Sequence, residues 1–443
     1  MRRKNMSKPY AEMTKEELLA EKEALTVKYK HYQDRHLSLD MSRGKPSVEQ
    51  LNLSMGMMDV LNSHVDLTCE DGTDCRNYGV LDGIPEAKAL LADMMECNPD
   101  NIIIYGNSSL NIMYDTVARS MTHGVMGHTP WCKLKKVKFL CPVPGYDRHF
   151  AITEHFGIEM INVPMLSTGP DMDMVEKLVS TDDTIKGIWC VPKYSNPQGI
   201  TYSDETVRRF ARLKPAAEDF RIYWDNAYTI HHLNDMDQDH LIEILAECKI
   251  AGNADMVYKF CSTSKISFPG SGLAAIATSL NNLEEIKKQL AVQTIGHDKV
   301  NQLRHVRYFK DIHGMHEHMK KHAAILKPKF EMLNELFANE FDGLGVGSWV
   351  NPKGGYFMAF EAVPGCAKAI VARAKKCGVI MTTAGAPFPY GIDPNDTVIR
   401  IAPSYPEFED LKIAAEIFVL CVKICTIEKV LEDKENEKPK KKN

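Results

Sequence analysis

Ile185-Lys186-Gly187-Ile188-Trp189-Cys190-Val191 running into Tyr194-Ser195-Asn196-Pro197-Gln198-Gly199, and Phe220-Arg221-Ile222-Tyr223-Trp224 running into Asp225-Asn226-Ala227-Tyr228, are the two stretches that decide the fold. Each is a short run of β-branched and aromatic residues that stops abruptly at a polar turn, the pattern of a buried strand followed by its loop. The same rhythm recurs on both sides, at Asn101 to Tyr105, Val137 to Leu140, Met256 to Phe260 and Leu273 to Thr278, with longer helical patterns between. Such alternation predicts an α/β protein, a mostly parallel sheet wrapped by helices.

Farther out the pattern changes. Thr14 and Glu17 form a capping box that opens a charged helix to residue 34. After residue 320 the sequence predicts a helix through Leu326 to Phe337, a strand pair around Val346 to Phe360, a helix at 365–377, a strand at Thr397 to Ala402 and a last apolar helix. These read as a smaller α+β domain. The expected divisions are an N-terminal arm with part of the small domain over 1–55, a large domain over 56–325, the small domain over 326–433 and a solvated, frayed tail over 434–443.

Composition excludes several classes of function. With 54 Lys plus Arg against 59 Asp plus Glu, the net charge is −5 in 443 residues, which argues against a general nucleic-acid or anionic-membrane binder. No run of 18 apolar residues appears and the first residues lack an apolar stretch, so neither a membrane span nor a secretory signal is expected. The 12 cysteines are scattered without a CxxC pair and read as reduced thiols of a cytoplasmic protein. Cys421 and Cys425, four apart on an apolar helix, read as small buried hydrophobes rather than metal ligands; no metal is expected.

In an open α/β sheet, ligands sit beyond the carboxyl ends of the strands. The residues there are Gly106-Asn107-Ser108-Ser109 opening a helix, Pro142 to Tyr146, the Asn196 turn, Asp225 to Tyr228, and Cys261-Ser262-Thr263-Ser264-Lys265. Singly these are ordinary caps and turns. Together they supply an amine for covalent attachment, a carboxylate, hydrogen-bond donors, an aromatic ring and an anion cradle at a helix N-terminus. Those five are the requirements of pyridoxal 5'-phosphate.

With these motifs the chain resembles the fold-type I pyridoxal-phosphate aminotransferases, in their class I, aspartate-aminotransferase-like group, over about Ser42 to Ser404. The most specific pieces are Tyr194 to Gly199, Asp225 to Tyr228, Ser262 to Lys265 and Val398-Ile399-Arg400; Gly44 to Pro46, Asn77-Tyr78-Gly79 and Lys353 to Phe357 support them. The resemblance implies that Lys265 carries the cofactor, that Asp225 pairs with its ring nitrogen, and that Asn196 and Tyr228 bond its phenolate oxygen. It implies that Tyr146 stacks on the ring, that Ser108, Ser109 and Ser262, with Asn107 and Ser264 beside them, hold the phosphate, and that Arg400 forks onto the substrate carboxylate near Gly44 and Arg43. Tyr78 matches a tyrosine that reaches the phosphate across a homodimer interface. The implied activity is ping-pong transamination between an α-amino acid, aspartate or glutamate first, and a 2-oxo acid, with Lys265, Asp225 and Tyr228 as its catalytic residues. One departure is notable: the family's glycine-x-arginine after the lysine reads Gly270-Ser271-Gly272-Leu273, as in a divergent bacterial branch.

Competing readings remain at this level. Another pyridoxal-phosphate reaction, such as β-elimination, or transamination of aromatic or aliphatic amino acids would use the same residues. A regulator with an aminotransferase-like sensor would need a basic DNA-binding domain, and roughly 40 residues before Ser42 do not suffice for one. A second cation for a dicarboxylate could be Arg43, Lys193, Arg304 or Arg307. His313, His316, His318 and His322 read as a solvated helical face, Lys193 as solvent-facing, and His231-His232 as support for Asp225 or a cap.

Overall fold

In a computed structural model of the chain, residues 8–436 are described. Among the described residues there are thirteen strands: β1 (Leu39–Asp40), β2 (Ile102–Ile104), β3 (Lys138–Val143), β4 (Glu159–Leu166), β5 (Gly169–Pro170), β6 (Ile185–Cys190), β7 (Arg221–Asp225), β8 (Val257–Ser262), β9 (Ala274–Ala277), β10 (Gly347–Trp349), β11 (Met358–Ala362), β12 (Val379–Ile380) and β13 (Val398–Ile401). Eight form one sheet in the order β2-β9-β8-β7-β6-β3-β4-β5. The run β4-β3-β6-β7-β8 is parallel, whereas β9 lies antiparallel to both β8 and β2. The expected α/β architecture is thus present, with β4 and β5 added on one side. Only two of the eight residues of β4, Met160 and Val163, are buried, so it lacks the continuous apolar run that marks its neighbours.

The central strands are buried on both faces because successive side chains enter different cores. Phe139, Trp189, Tyr223 and Phe260 pack with helix Ser109–His123 on one side. Leu140, Ile188, Trp224 and Val257 pack with helices Met172–Thr181 and Asp204–Ala211 on the other. That period-two division is what a helix-sheet-helix sandwich requires.

A third core holds β11 and β13, helix Ala367–Lys376, the C-terminal helix Phe408–Asn436 and the helix Lys15–Gln33, whose Leu18, Leu25 and Tyr29 are buried there. Thr14 makes the full capping box with Glu17. Strands β1 and β12 pair in parallel, tying the segment before the site to the C-terminal layer. A 30-residue helix, Ile312–Phe341, contributes to both this core and that of the large sheet, and is far longer than the expected Leu326 to Phe337. The expected frayed tail is corrected in part: residues 434–436 complete the last helix, and Lys434 donates to the Ala11 carbonyl. The rest of that tail lies outside the described residues.

All 12 cysteines are unpaired; Cys421 and Cys425 are buried, Cys97 is half-buried and Cys132 is exposed. No helix among the described residues is long and apolar enough to cross a membrane.

Candidate active site

The carboxyl ends of the parallel strands open into a cavity of about 580 Å³ against the C-terminal layer. Arg43, Gly44, Ser108, Ser109, Tyr146, Asn196, Asp225, Tyr228, Ser262, Ser264, Lys265 and Arg400 all line it, although they come from segments hundreds of residues apart. Asn107 stands beside it, its amide donating to the Pro269 carbonyl at 3.1 Å and its carbonyl accepting from Ser264 Oγ at 3.4 Å. Tyr78 does not line the cavity and is 80% exposed.

Asp225 ends β7 and is buried. Its Oδ2 lies 3.0 Å from His149 Nε2, while its buried Oδ1 has no hydrogen-bond partner among the described residues. His149 is itself locked by stacking on Trp189, with centroids 4.5 Å apart and planes at 14°. His149, missed in the sequence, therefore plays the supporting part considered for His231. His231 is buried against Tyr228 and Tyr356 and makes no hydrogen bond to Asp225; His232 Nδ1 instead lies 2.7 Å from the Tyr194 hydroxyl. The signal for His149 was weak: three residues past Tyr146, inside a helix, it looks like any helical histidine.

Lys265 Nζ sits 5.1 Å from the centre of the Tyr228 ring. Burial lowers the pKa of this ammonium, and the Asp225 charge only partly opposes the shift. Burial likewise raises the Tyr146 phenol to about 12 and the Tyr228 phenol well above its usual value. Both phenols are therefore hydrogen-bond donors at neutral pH.

Ser108 is the N-cap of Ser109–His123 but its side chain makes no capping bond, leaving the hydroxyl and the helix amides for another acceptor. Ser262 and Ser264 link their hydroxyls at 3.0 Å on the facing loop. No guanidinium stands at position 273: Leu273 is buried and its N–H donates to Thr263 Oγ1 at 2.9 Å. Arg304 is spent on the Ser271 carbonyl and hydroxyl, at 3.1 and 2.5 Å, outside the cavity.

Opposite the lysine, β13, an edge strand of the three-stranded small sheet, presents Arg400 in register with Ala359 of β11. Its Nε donates to Thr382 Oγ1 at 3.2 Å, and its Nη1 lies 2.8 Å from Asp147 Oδ1 and 3.4 Å from Asn196 Oδ1. The Phe357 ring lies 5.0 Å from the guanidinium carbon and closes on Gly44, where a Cβ would sit 2.2 Å from that ring. Of the cations weighed in the sequence, Arg43 lines the cavity, joined by Lys45 and Arg148, whereas Lys193, Arg304 and Arg307 do not. Lys193 is half-buried, donating to the Thr229 carbonyl at 3.0 Å, which corrects its solvent-facing reading.

The four histidines also need correction. His313 is exposed and His316 half-buried, but His318 and His322 are 4% and 1% exposed, because their helix packs against the lysine loop. No cluster of three or more His, Cys, Asp or Glu suited to a metal occurs among the described residues.

A lysine-bearing pocket at the end of a parallel sheet, faced by an arginine from a second layer, fits the aminotransferase class of enzyme. The chain belongs to the aspartate aminotransferase family, whose model, described as aspartate amino-transferase, matches residues 13–434. The chain is 41% identical to the aspartate aminotransferase of Corynebacterium glutamicum, over 92% of this chain and 94% of that one. A crystal structure of an aspartate transaminase from that organism superposes with a TM-score of 0.92 at 40% identity, covering 95% of this chain and 99% of the other. A more distant likeness, in fold alone, is to the α-aminoadipate aminotransferase of Thermus thermophilus solved with N-(5'-phosphopyridoxyl)-L-leucine, at a TM-score of 0.71 and 16% identity over 89% of this chain and 93% of that one. The chain is therefore an aminotransferase, acting on amino acids and 2-oxo acids.

Proposed function

We propose that the protein binds pyridoxal 5'-phosphate on Lys265 and transfers the amino group of an α-amino acid, aspartate or glutamate by preference, to a 2-oxo acid in a ping-pong reaction. The observation that carries the reading is the buried, unpartnered Oδ1 of Asp225, whose other oxygen is held by His149, in the same cavity as the Lys265 amine. A buried carboxylate oxygen without a donor is costly, and the N–H of a protonated pyridine ring supplies the donor it lacks. The naming of a 41% identical relative as an aspartate aminotransferase supports the substrate preference, as do the cations Arg43, Lys45 and Arg148 in the cavity.

When bound, the cofactor supplies an electron-withdrawing ring that makes the substrate α-proton removable. The protein does the rest. Asp225, aligned by His149, keeps the ring nitrogen protonated; Asn196 and Tyr228 would hold the phenolate oxygen and Tyr146 the ring face. Ser108, Ser109, Ser262 and Ser264 would share the phosphate with the helix amides, so that hydroxyls and backbone take over from the arginine replaced by Leu273. Arg400 takes the substrate α-carboxylate and fixes the direction of the Cα–H bond. Lys265 would serve as the base at the substrate α-proton; its lowered pKa keeps a larger share of its amine neutral at neutral pH.

Borohydride treatment of the purified, cofactor-loaded protein tests the assignment. The cofactor should be fixed to the peptide containing Lys265, and fixation at any other lysine would overturn the reading.

A further inference from the structure

Behind Lys265 lies a buried polar cluster that transamination does not use. His318 Nε2 is 2.9 Å and His322 Nε2 3.1 Å from the carbonyl oxygen of Ile266, the residue after the lysine. Tyr356 donates its hydroxyl to the carbonyl of Lys265 itself at 3.4 Å. Gln50 joins the two arms: its amide nitrogen is 3.0 Å from His322 Nδ1 and 2.7 Å from the Tyr356 hydroxyl.

The direction of the bonds at Gln50 and His322 is determined. Gln50 Oε1 accepts from the Ser47 N–H at 3.1 Å in a capping box, so its NH₂ must face the cluster. His322 Nδ1 then accepts, and its Nε2 carries the proton, facing both the Ile266 carbonyl and His318 Nε2 at 3.1 Å. The ring is neutral, since burial and the neighbouring His318 hold its pKa down to about 3. Gln50, His322 and Tyr356 are at most 1% exposed, and none of their polar atoms is left without a partner. A buried network so completely satisfied is rigid.

Three segments meet here: the short helix Val48–Asn52, the long helix Ile312–Phe341, and the chain leading into β11. They converge on two successive carbonyls at the base of the lysine side chain. The geometry points to Gln50, His322 and Tyr356, with His318, as positioning residues that fix the Lys265-Ile266 peptide and thereby the line along which the lysine amine meets the substrate. The inference rests on the proposed role of Lys265. Its consequence is that loss of the cluster slows proton transfer while leaving substrate binding intact, since Arg400 and the cavity walls are untouched.

Three variants test it. Tyr356→Phe removes one hydroxyl and no volume, His322→Leu removes the donor to Ile266, and His322→Gln restores an amide donor in its place. Expected are a fall in kcat of about tenfold or more for Tyr356→Phe and His322→Leu, with KM within about twofold, and recovery of most of that loss in His322→Gln. A second readout uses cofactor-free protein, where the rate of Lys265 labelling by trinitrobenzenesulfonate, followed by peptide mass mapping, should change in Tyr356→Phe and His322→Leu and return towards wild type in His322→Gln. Unchanged kcat and labelling, or losses in kcat and KM together that track a lowered Tm, would overturn the inference; if His322→Leu does not fold, Tyr356→Phe decides. Wild-type protein that fixes no cofactor on Lys265 would overturn the functional reading as well, whereas normal fixation with unaltered variants would overturn this inference alone.

Discussion

Arg400 shows how one side chain can answer two descriptions. A guanidinium in the apolar run Val398 to Ala402 needs an anionic partner, and the structure gives it Asp147 at 2.8 Å, which by itself would suit a structural ion pair. Yet Asp147 is a third exposed and Nη2 has no partner among the described residues, so part of the fork faces the cavity. Arg400→Leu should therefore fold normally while losing roughly 2–5 kcal/mol in kcat/KM for aspartate, because the substrate carboxylate loses its partner. Asp147→Asn should do the reverse on a smaller scale. Removing a competing carboxylate worth about 1 kcal/mol or less lowers the aspartate KM by up to about fivefold. A lowered unfolding midpoint in Arg400→Leu with normal saturation would restore the purely structural description.

The elements explain what the sequence could and could not reveal. Asn196, Asp225 and Lys265 were legible because each stands at or just past the carboxyl end of an apolar strand, where an α/β sheet binds its ligand, and because together they match one family's motifs. His149 and the His318-His322 pair were not, because the face a helical residue presents depends on what packs over it, and the lysine loop is remote in sequence. The same burial predicts how the protein responds to acid. His305 is fully buried with its pKa lowered to about 4, and His322 to about 3, against about 6.5 in an unfolded chain. Native protein then binds fewer protons than unfolded protein, so this stability is fully present above pH 6.5 and is lost as the pH falls towards 4. Each histidine should cost about 2 kcal/mol by pH 5, seen as a lower urea midpoint than at pH 7.5. His322→Gln should flatten that pH slope by its share; an unchanged slope would show that the ring is protonated in the folded state.

At the scale of the molecule, the α/β class and the second α+β layer were both readable, and the antiparallel entry of β9 was not: a short apolar run carries no direction. Tyr78 remains a matter of assembly. It is 80% exposed and does not line the cavity of its own chain, and the homodimer that the sequence resemblance implies would carry it to a partner's phosphate site. Mixing Lys265→Ala with Tyr78→Ala subunits should then restore activity by leaving one intact site per heterodimer. Demonstrated subunit exchange without recovery would remove the shared-site model.

The distribution of thiols turns the chain into its own conformational clock. Cys132 alone is exposed, and burial raises the pKa of nearly all the others, so they react slowly as well as being shielded. Ellman's reagent should count one fast sulfur in the native enzyme and the remaining 11 of the 12 only as the cores open. A single dye placed on Cys132 would accordingly follow the folded protein, and the delayed sulfurs would time its unfolding, with no engineered label.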